Sequence, residues 1–229
     1  IFATKKNILF FSTPFDIATA KFLNNIQSFF KISSGDNEFF PLIESVCKFN
    51  KPIILSTGLV NLNQIKKIVN FIKNRIDYKT KLALLHCVSS YPTHIKDANL
   101  KSINFLRENF KDITIGYSDH TLGIEAAALS IACGAKIIEK HFTINKNMKG
   151  PDHKASLNPS ELEIFIKKIR NAEIIMGSKN KKIRKSEMKN LKHVRKSIYA
   201  SRNIKKNEIL NEDNIIPKRP FNKNNPMQF

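Results

Sequence analysis

Short apolar runs, each followed by a cluster of small polar residues, recur along the first 141 residues of the chain. Six runs start at intervals of 21 to 31 residues, and each is short enough for a buried strand. The runs span residues 8–11, 29–32, 53–55, 82–85, 113–115 and 137–138. Each run predicts a strand that ends in a polar loop.

Segments with helical periodicity lie between these runs. Apolar residues at three- and four-residue spacing, such as Ile65, Ile68, Val69 and Ile72, predict an amphipathic helix after the third strand. A repeated strand–loop–helix unit is typical of a parallel α/β sheet. We expect a (β/α)8 TIM barrel, in which the polar loops after the strands share one rim, although six units are counted where a closed barrel needs eight. An open nucleotide-binding sheet is less favoured because the sequence has no Gly-x-Gly-x-x-Gly or Walker-type string.

The chain changes character after the sixth unit. Asn158, Pro159 and Glu161 are typical of a helix start, and Gly177 is typical of a helix end. Residues 1–177 are therefore assigned to a partial barrel domain.

Two further segments follow this domain. Residues 178–193 are rich in lysine and poorly periodic, which predicts a surface linker. Residues 194–229 are predicted to form the start of a small β-rich domain, with short alternating runs at 197–200, 204–210 and 215–220. About 35 residues are too few to fold unaided.

The charge balance is strongly basic, with 39 Lys and Arg residues against 19 Asp and Glu residues and a formal net charge of +20. Such a charge can favour nucleic acid, an anionic membrane or an anionic substrate. Lysine greatly outnumbers arginine, whereas readers of phosphates and bases usually depend on bidentate arginine. No apolar run approaches the ~18 residues of a membrane span. We therefore expect no nucleic-acid partner and no membrane partner.

Three dispersed cysteines, Cys47, Cys87 and Cys133, indicate reduced thiols in a cytoplasmic protein. His86 and Cys87 are successive strand residues and must face opposite sides of the sheet. A Cys–His nucleophile pair is therefore not expected.

Two histidines, His120 and His141, end adjacent predicted strands. Adjacent strands lie ~4.8 Å apart, so two side chains at the same level can bind one metal ion. The alternative is two unrelated polar residues at strand ends. Two His ligands would leave coordination positions open for a Lewis-acid ion that polarises a substrate oxygen.

Hydroxyl side chains follow five of the six predicted strands, with Lys31 among them. They are Thr13, Ser34, Ser56, Thr57, Ser89 and Ser118. Convergent hydroxyls and an ammonium group suit a phosphate or a carboxylate. Each hydroxyl alone is typical of a turn or cap, so their common rim is what favours an anion site. Asp152 is a candidate for holding a sugar hydroxyl.

Taken in order, the strings at the strand ends resemble the sialic acid synthase family, whose members condense phosphoenolpyruvate (PEP) with an N-acyl amino sugar. The strings are FSTPFD (11–16), KISSGD (31–36), ILSTG (54–58), HCVSSYP (86–92), GYSDHT (116–121), IEKHFT (138–143) and GPDHKASL (150–157). Residues 195–220 look like the start of the family's C-terminal antifreeze-like (SAF) domain. The resemblance implies two further βα units before residue 1, so we expect the chain to be a fragment that also lacks most of the SAF domain.

The resemblance also implies roles for individual residues. His120 and His141 match two metal ligands, with Mn²⁺ expected and Mg²⁺ or Co²⁺ as alternatives, and together with Asp36 they are the expected catalytic residues. The positions that would hold PEP are Lys31, Thr13, Ser34, Ser89 and Ser118. The positions near the acceptor sugar are Asp36, Tyr91, Asp152 and Arg219. Arg219 would reach the active site of a partner subunit, which implies a domain-swapped homodimer.

The implied reaction is attack of C3 of PEP on the aldehyde of an open-chain sugar, addition of water at C2 and loss of phosphate. The acceptor would be N-acetylmannosamine or 2,4-diacetamido-2,4,6-trideoxymannose, and the product a nonulosonic acid. Three alternatives remain: another PEP-dependent keto-acid sugar synthase, such as a pseudaminic acid synthase, a non-catalytic carbohydrate-binding module and, weakest, a basic nucleic-acid binder.

Overall fold

A computed structural model describes residues 2–224 of the 229-residue chain. These residues form two compact units that divide between Gly177 and Ser178. No helix within the described range is both long enough and apolar enough to cross a membrane.

The first unit is built on a sheet of five parallel strands in the spatial order of the chain. The strands are β1 (Phe30–Ile32), β2 (Ile53–Ser56), β3 (Leu82–Cys87), β4 (Thr114–Asp119) and β5 (Ile138–Lys140). The sheet does not close on itself, so the described residues form a half-barrel. The predicted parallel α/β class is confirmed, whereas a complete eight-stranded barrel is not present in residues 2–224.

Helices precede, connect and follow the strands of the sheet. They are α1 (Phe2–Lys5), α2 (Ile17–Leu23), α3 (Phe40–Lys48), α4 (Leu62–Lys73), α5 (Tyr78–Lys81), α6 (Lys101–Asn109), α7 (Glu125–Ala132) and α8 (Pro159–Met176), with a 3-10 turn at Ile95–Asp97. The predicted stripe of Ile65, Ile68, Val69 and Ile72 is buried along α4. Helix α8 starts at a capping box in which the Asn158 side chain accepts from Glu161 N.

Alternation along the strands separates two faces of the sheet. Phe30 and Ile32 of β1, with Leu55 and Leu84 of the next strands, belong to the main apolar core. Lys31 lies between the two core residues of β1 and must point the other way. The face turned away from the core therefore carries the polar residues.

The first predicted strand, residues 8–11, is not a strand in the structure. Ile8, Leu9 and Phe10 are 65%, 74% and 61% exposed, and the Phe11 ring packs against Phe29 beside β1. A strand is stabilised by ladder hydrogen bonds and by burial of at least one face, and neither is provided here. Local β-propensity alone therefore does not fix this segment.

The second unit contains one helix and a small antiparallel sheet. Helix α9 (Lys185–Val194) covers the second half of residues 178–193, the predicted linker, and ends one residue beyond it. Strand β6 (Ser197–Ala200) pairs with β7 (Ile215–Lys218), and residues 204–210 form no strand, contrary to the pattern.

The physical reasons for these two differences are local. The Glu187 carboxylate accepts from Arg184 N and caps the start of α9, and good helix formers follow. Within 204–210, Glu208 accepts from Arg202 and from Lys205 N, which stabilises a turn.

Candidate functional site

Four polar side chains meet on the sheet face opposite the apolar core. The strand register aligns Cys87 of β3 with Ser118 of β4, and Ser118 with Glu139 of β5. Side chains at matching register positions in a parallel sheet share a face, so these residues lie side by side. Lys31 of β1 joins them across the half-barrel.

Glu139 links Lys31 and Ser118. Its Oε1 accepts from Ser118 Oγ at 2.7 Å, and its Oε2 lies 3.6 Å from Lys31 Nζ. The Lys31 side chain is buried and also donates to Ile32 O at 3.3 Å. The buried ammonium group is thus held beside the Glu139 carboxylate and the Ile32 carbonyl, and Ser118 holds the same carboxylate from the other side.

The hydroxyls of Ser34 and Ser89 border the same face next to Gly58. Ser34 Oγ accepts from Gly58 N at 3.1 Å and donates to Cys87 Sγ at 3.4 Å. Ser89 Oγ is buried and has no hydrogen-bond partner among the described residues. A Cβ at Gly58 would overlap both hydroxyls, so glycine is what keeps the space between them open. This arrangement is a cradle that an oxyanion could fill.

The rings of His120 and His141 lie 5.1 Å apart, edge to face, at the ends of β4 and β5. Tyr91 covers both, with its ring 4.3 Å from that of His120 and 5.6 Å from that of His141. Burial raises the pKa of Tyr91, so its hydroxyl stays protonated at neutral pH. The predicted meeting of the two histidines is therefore present in the structure.

The hydrogen bond of His120 fixes its tautomer. Nδ1 lies 3.0 Å from Val88 O, and because a carbonyl only accepts, the neutral ring carries its proton on Nδ1 and its lone pair on Nε2. His120 is only 6% exposed, so this orientation is held by the surrounding protein.

His141 is more open and lies beside Asp152, with 3.6 Å between Nδ1 and Oδ2. Burial and the neighbouring His120 hold the pKa of His141 below its ordinary value, and Asp152 opposes this shift. His141 is therefore neutral at pH 7 and has a lone pair for a ligand. Asp152, predicted to contact a sugar, also acts as a neighbour that can orient this ring.

The remaining predicted residues are less closely joined to this cluster. Thr13 is half-buried in the loop before α2. Asp36 accepts from Ser33 Oγ in the loop after β1. Arg219 belongs to the second unit, where its Nε donates to Val194 O at 2.6 Å. Their proposed contacts with a substrate stay predictions.

The sequence pattern did not identify Glu139 or Cys87 as members of this polar cluster. Cys87 Sγ lies 3.9 Å from His120 Nδ1, whereas His86 turns away to Ala98 O and stacks on Tyr117, as the alternation predicted. The signal for Glu139 was its register with Ser118, which cannot be read from a single strand. Across residues 2–224 there is no group of three or more His, Cys, Asp or Glu side chains that could hold a metal, so the protein offers a histidine pair.

Comparison with known proteins points to one family. The NeuB family profile matches residues 2–181. The chain is 45% identical over 228 residues to the N,N'-diacetyllegionaminic acid synthase of Campylobacter jejuni subsp. jejuni serotype O:2, covering 99% of this chain and 68% of that protein. It is 36% identical over 223 residues to a pseudaminic acid synthase of Campylobacter jejuni serotype O:23/36, covering 96% of this chain and 64% of that protein.

Comparison with a solved structure points to the same family. The N-acetylneuraminic acid (sialic acid) synthetase of Leptospira borgpetersenii serovar Hardjo-bovis superposes with a TM-score of 0.77 at 37% identity, over 82% of this chain and 65% of that one. The chain thus spans about two thirds of the length of these relatives. The predicted family and enzyme class are confirmed: the chain belongs to the NeuB family of sialic acid synthase-type transferases.

Proposed function

We propose that the protein condenses PEP with an open-chain N-acyl amino sugar, giving a nonulosonic acid and phosphate. The observation that carries this proposal is the pairing of His120 and His141 beside a buried ammonium group and a set of hydroxyls on one sheet face. Family membership supports the same reaction. The barrel-type fold of the family and its C-terminal SAF domain are part of the proposal for the whole protein.

The anionic end of PEP would lie at Lys31 and the hydroxyl cradle. The unpaired Ser89 Oγ and the Ser34 hydroxyl would donate to phosphate or carboxylate oxygens, and the buried Lys31 would neutralise charge. Ser118 and Thr13 complete the predicted set. Holding the phosphate in one orientation contributes mainly by positioning and by electrostatics.

The histidine pair fits a divalent cation, for which we propose Mn²⁺, with Mg²⁺ or Co²⁺ as substitutes. His120 Nε2 is free because Nδ1 is used by Val88 O, and His141 is neutral with Asp152 beside its other nitrogen. Such outer partners are the usual support of metal-ligating histidines. When bound, the cation would supply Lewis-acid polarisation of the sugar aldehyde.

Glu139 is the group that we assign to proton transfer. Its Oε2, near Lys31, would accept the proton of the water that adds at C2 of the PEP-derived carbon, and its bond to Ser118 would keep the carboxylate oriented. This role extends the residues expected from the sequence.

The acceptor that we propose is 2,4-diacetamido-2,4,6-trideoxymannose, because identity to the legionaminic acid synthase is 45% and identity to the pseudaminic acid synthase is 36%. N-acetylmannosamine and the pseudaminic acid precursor are the competing acceptors. Asp36, Tyr91 and Asp152 would contact the sugar, and Arg219 would do so from the partner subunit of a homodimer.

Product analysis tests this proposal. The full chain is incubated with PEP and Mn²⁺ and with each of the three acceptor sugars in turn, and the products are read by mass spectrometry together with released phosphate. We expect a keto acid and an equal amount of phosphate, fastest with the diacetamido sugar. Phosphate release that does not depend on any acceptor would contradict a condensation.

A further inference from the structure

A buried ion pair lies directly behind the histidine pair. Lys140 Nζ is 2.9 Å from Asp119 Oδ2, and the two side chains are 3% and 0% exposed. Asp119 and Lys140 are register partners at the ends of β4 and β5. They immediately precede His120 and His141, so the ion pair joins the two strands one residue before each histidine.

The Asp119 carboxylate also fixes the chain that follows it. Its Oδ1 accepts from Thr121 N at 2.9 Å, from Thr121 Oγ1 at 2.8 Å and from Tyr117 OH at 3.2 Å. His120 lies between Asp119 and Thr121, so its backbone is held on both sides.

Lys140 closes the arrangement from the neighbouring strand. Besides Asp119, its ammonium group donates to Thr121 O, so β5 holds the residue after His120 as well as the residue before it. The carbonyl of His120 itself accepts from Thr93 N at 2.9 Å. The backbone around His120 is thereby tied both to β5 and to the loop that follows β3.

These contacts exclude a direct chemical role for Lys140. Its side chain points to the face opposite Glu139, because neighbouring strand residues alternate, and it is almost fully buried. The lysine next to His141 is therefore neither an anion ligand nor a nucleophile on the substrate face.

We infer that the Asp119–Lys140 ion pair, with Thr121, is a clamp that positions His120 and His141 at the separation one cation needs. This inference rests on the proposed function, since it assigns the clamp to the proposed metal site. A buried ion pair is by itself weak evidence for stability, because desolvation of two charges offsets much of their attraction. Because each member of the ion pair directly precedes one of the histidines, the pair can position both histidine side chains.

Metal affinity tests the clamp apart from turnover. The free Mn²⁺ signal in electron paramagnetic resonance is titrated with the full chain and with Asp119→Asn, Lys140→Met and the double variant. The asparagine keeps the oxygen that accepts from Thr121, so this variant removes the ion pair alone. The double variant leaves no unpaired buried charge, so its Mn²⁺ affinity can be measured if a single variant does not fold.

The control is Ile68→Val in α4, where a fully buried side chain loses one methyl group far along the chain from the histidines. It lowers the melting temperature through a small cavity and should keep the wild-type Mn²⁺ affinity. A merely structural role for the clamp would move affinity in the control and in the clamp variants alike.

We expect the Kd for Mn²⁺ to rise about tenfold or more in each clamp variant, the order of loss that follows when groups that orient metal-ligating histidines are removed. Wild-type affinity in the folded clamp variants would overturn the clamp and leave the proposed function standing. Absence of Mn²⁺ binding by the wild-type chain would instead overturn the proposed metal site, and the clamp with it.

Discussion

Gly58 lies between Ser34 and Ser89, the two hydroxyls of the proposed oxyanion cradle. A side chain at this position would fill the space that a phosphate or carboxylate oxygen needs. The glycine has no positive φ, so its value at this position is space and not backbone freedom.

Replacing Gly58 by alanine should therefore impair PEP binding. Hydrogen bonds to a charged group contribute about 1.5–3 kcal/mol, so the KM for PEP should rise about tenfold or more, with a smaller change in the KM for the sugar. Steady-state kinetics with each substrate varied in turn measures the difference.

Gly35→Ala is the matched control. A Cβ there meets only Ser33 Oγ, at 3.7 Å, which is ordinary contact. Equal effects of the two substitutions on PEP would contradict the cradle at Gly58.

The cysteines differ in environment and should differ in reactivity. Burial raises the pKa of Cys47 to about 11, so at pH 8 this thiol is protonated and unreactive, whereas Cys133 is partly exposed. Titration with a chromogenic disulfide at pH 8, followed by peptide mapping, should label Cys133 first and Cys47 only after unfolding. Rapid labelling of Cys47 in the folded chain would contradict its burial.

Among the elements, helix α8 was the most completely predicted, from its capping residues to Gly177. The asparagine cap and the glutamate of the box act within one turn, so the local sequence determines them. The prediction of a strand at residues 8–11 was wrong because a strand needs a neighbouring strand to pair with, and the local pattern does not specify one. Glu139 was missed for a related reason: its meeting with Lys31 is set by the curvature of the sheet.

Loss of the α8 cap should lower stability without affecting the site. Asn158→Ala removes the acceptor for Glu161 N and should cost about 1 kcal/mol, a fall of about 2–4 °C in melting temperature for a chain of this size. Thermal unfolding followed by circular dichroism measures it. Asn158→Asp keeps an acceptor and should melt close to the wild type; an equal loss in both variants would count against the cap.

For the whole molecule, the net charge of +20 is the property that was compatible with the widest range of functions. Two ammonium groups of the sheet are buried and paired with carboxylates: Lys31 of β1 with Glu139 of β5 across the half-barrel, and Lys140 of β5 with Asp119 of the neighbouring β4. They lie on opposite faces, one proposed to attract an anionic substrate and the other to position the histidines. The class of fold, the family and the histidine pair followed from the sequence, whereas the two lysine pairings required the three-dimensional register.

The central claim is a PEP-dependent condensation at the histidine pair. Turnover by two single variants, one for each histidine, tests it most directly. Keto-acid formation with PEP, Mn²⁺ and the diacetamido sugar is compared between the wild type, His120→Ala and His141→Ala, with the exposed His94→Ala as control. Loss of a Lewis acid removes several kcal/mol of transition-state stabilisation, so both variants should lose about 1000-fold or more in rate while the control keeps its activity. Unchanged turnover of His120→Ala, with one metal ion still bound, would contradict the account.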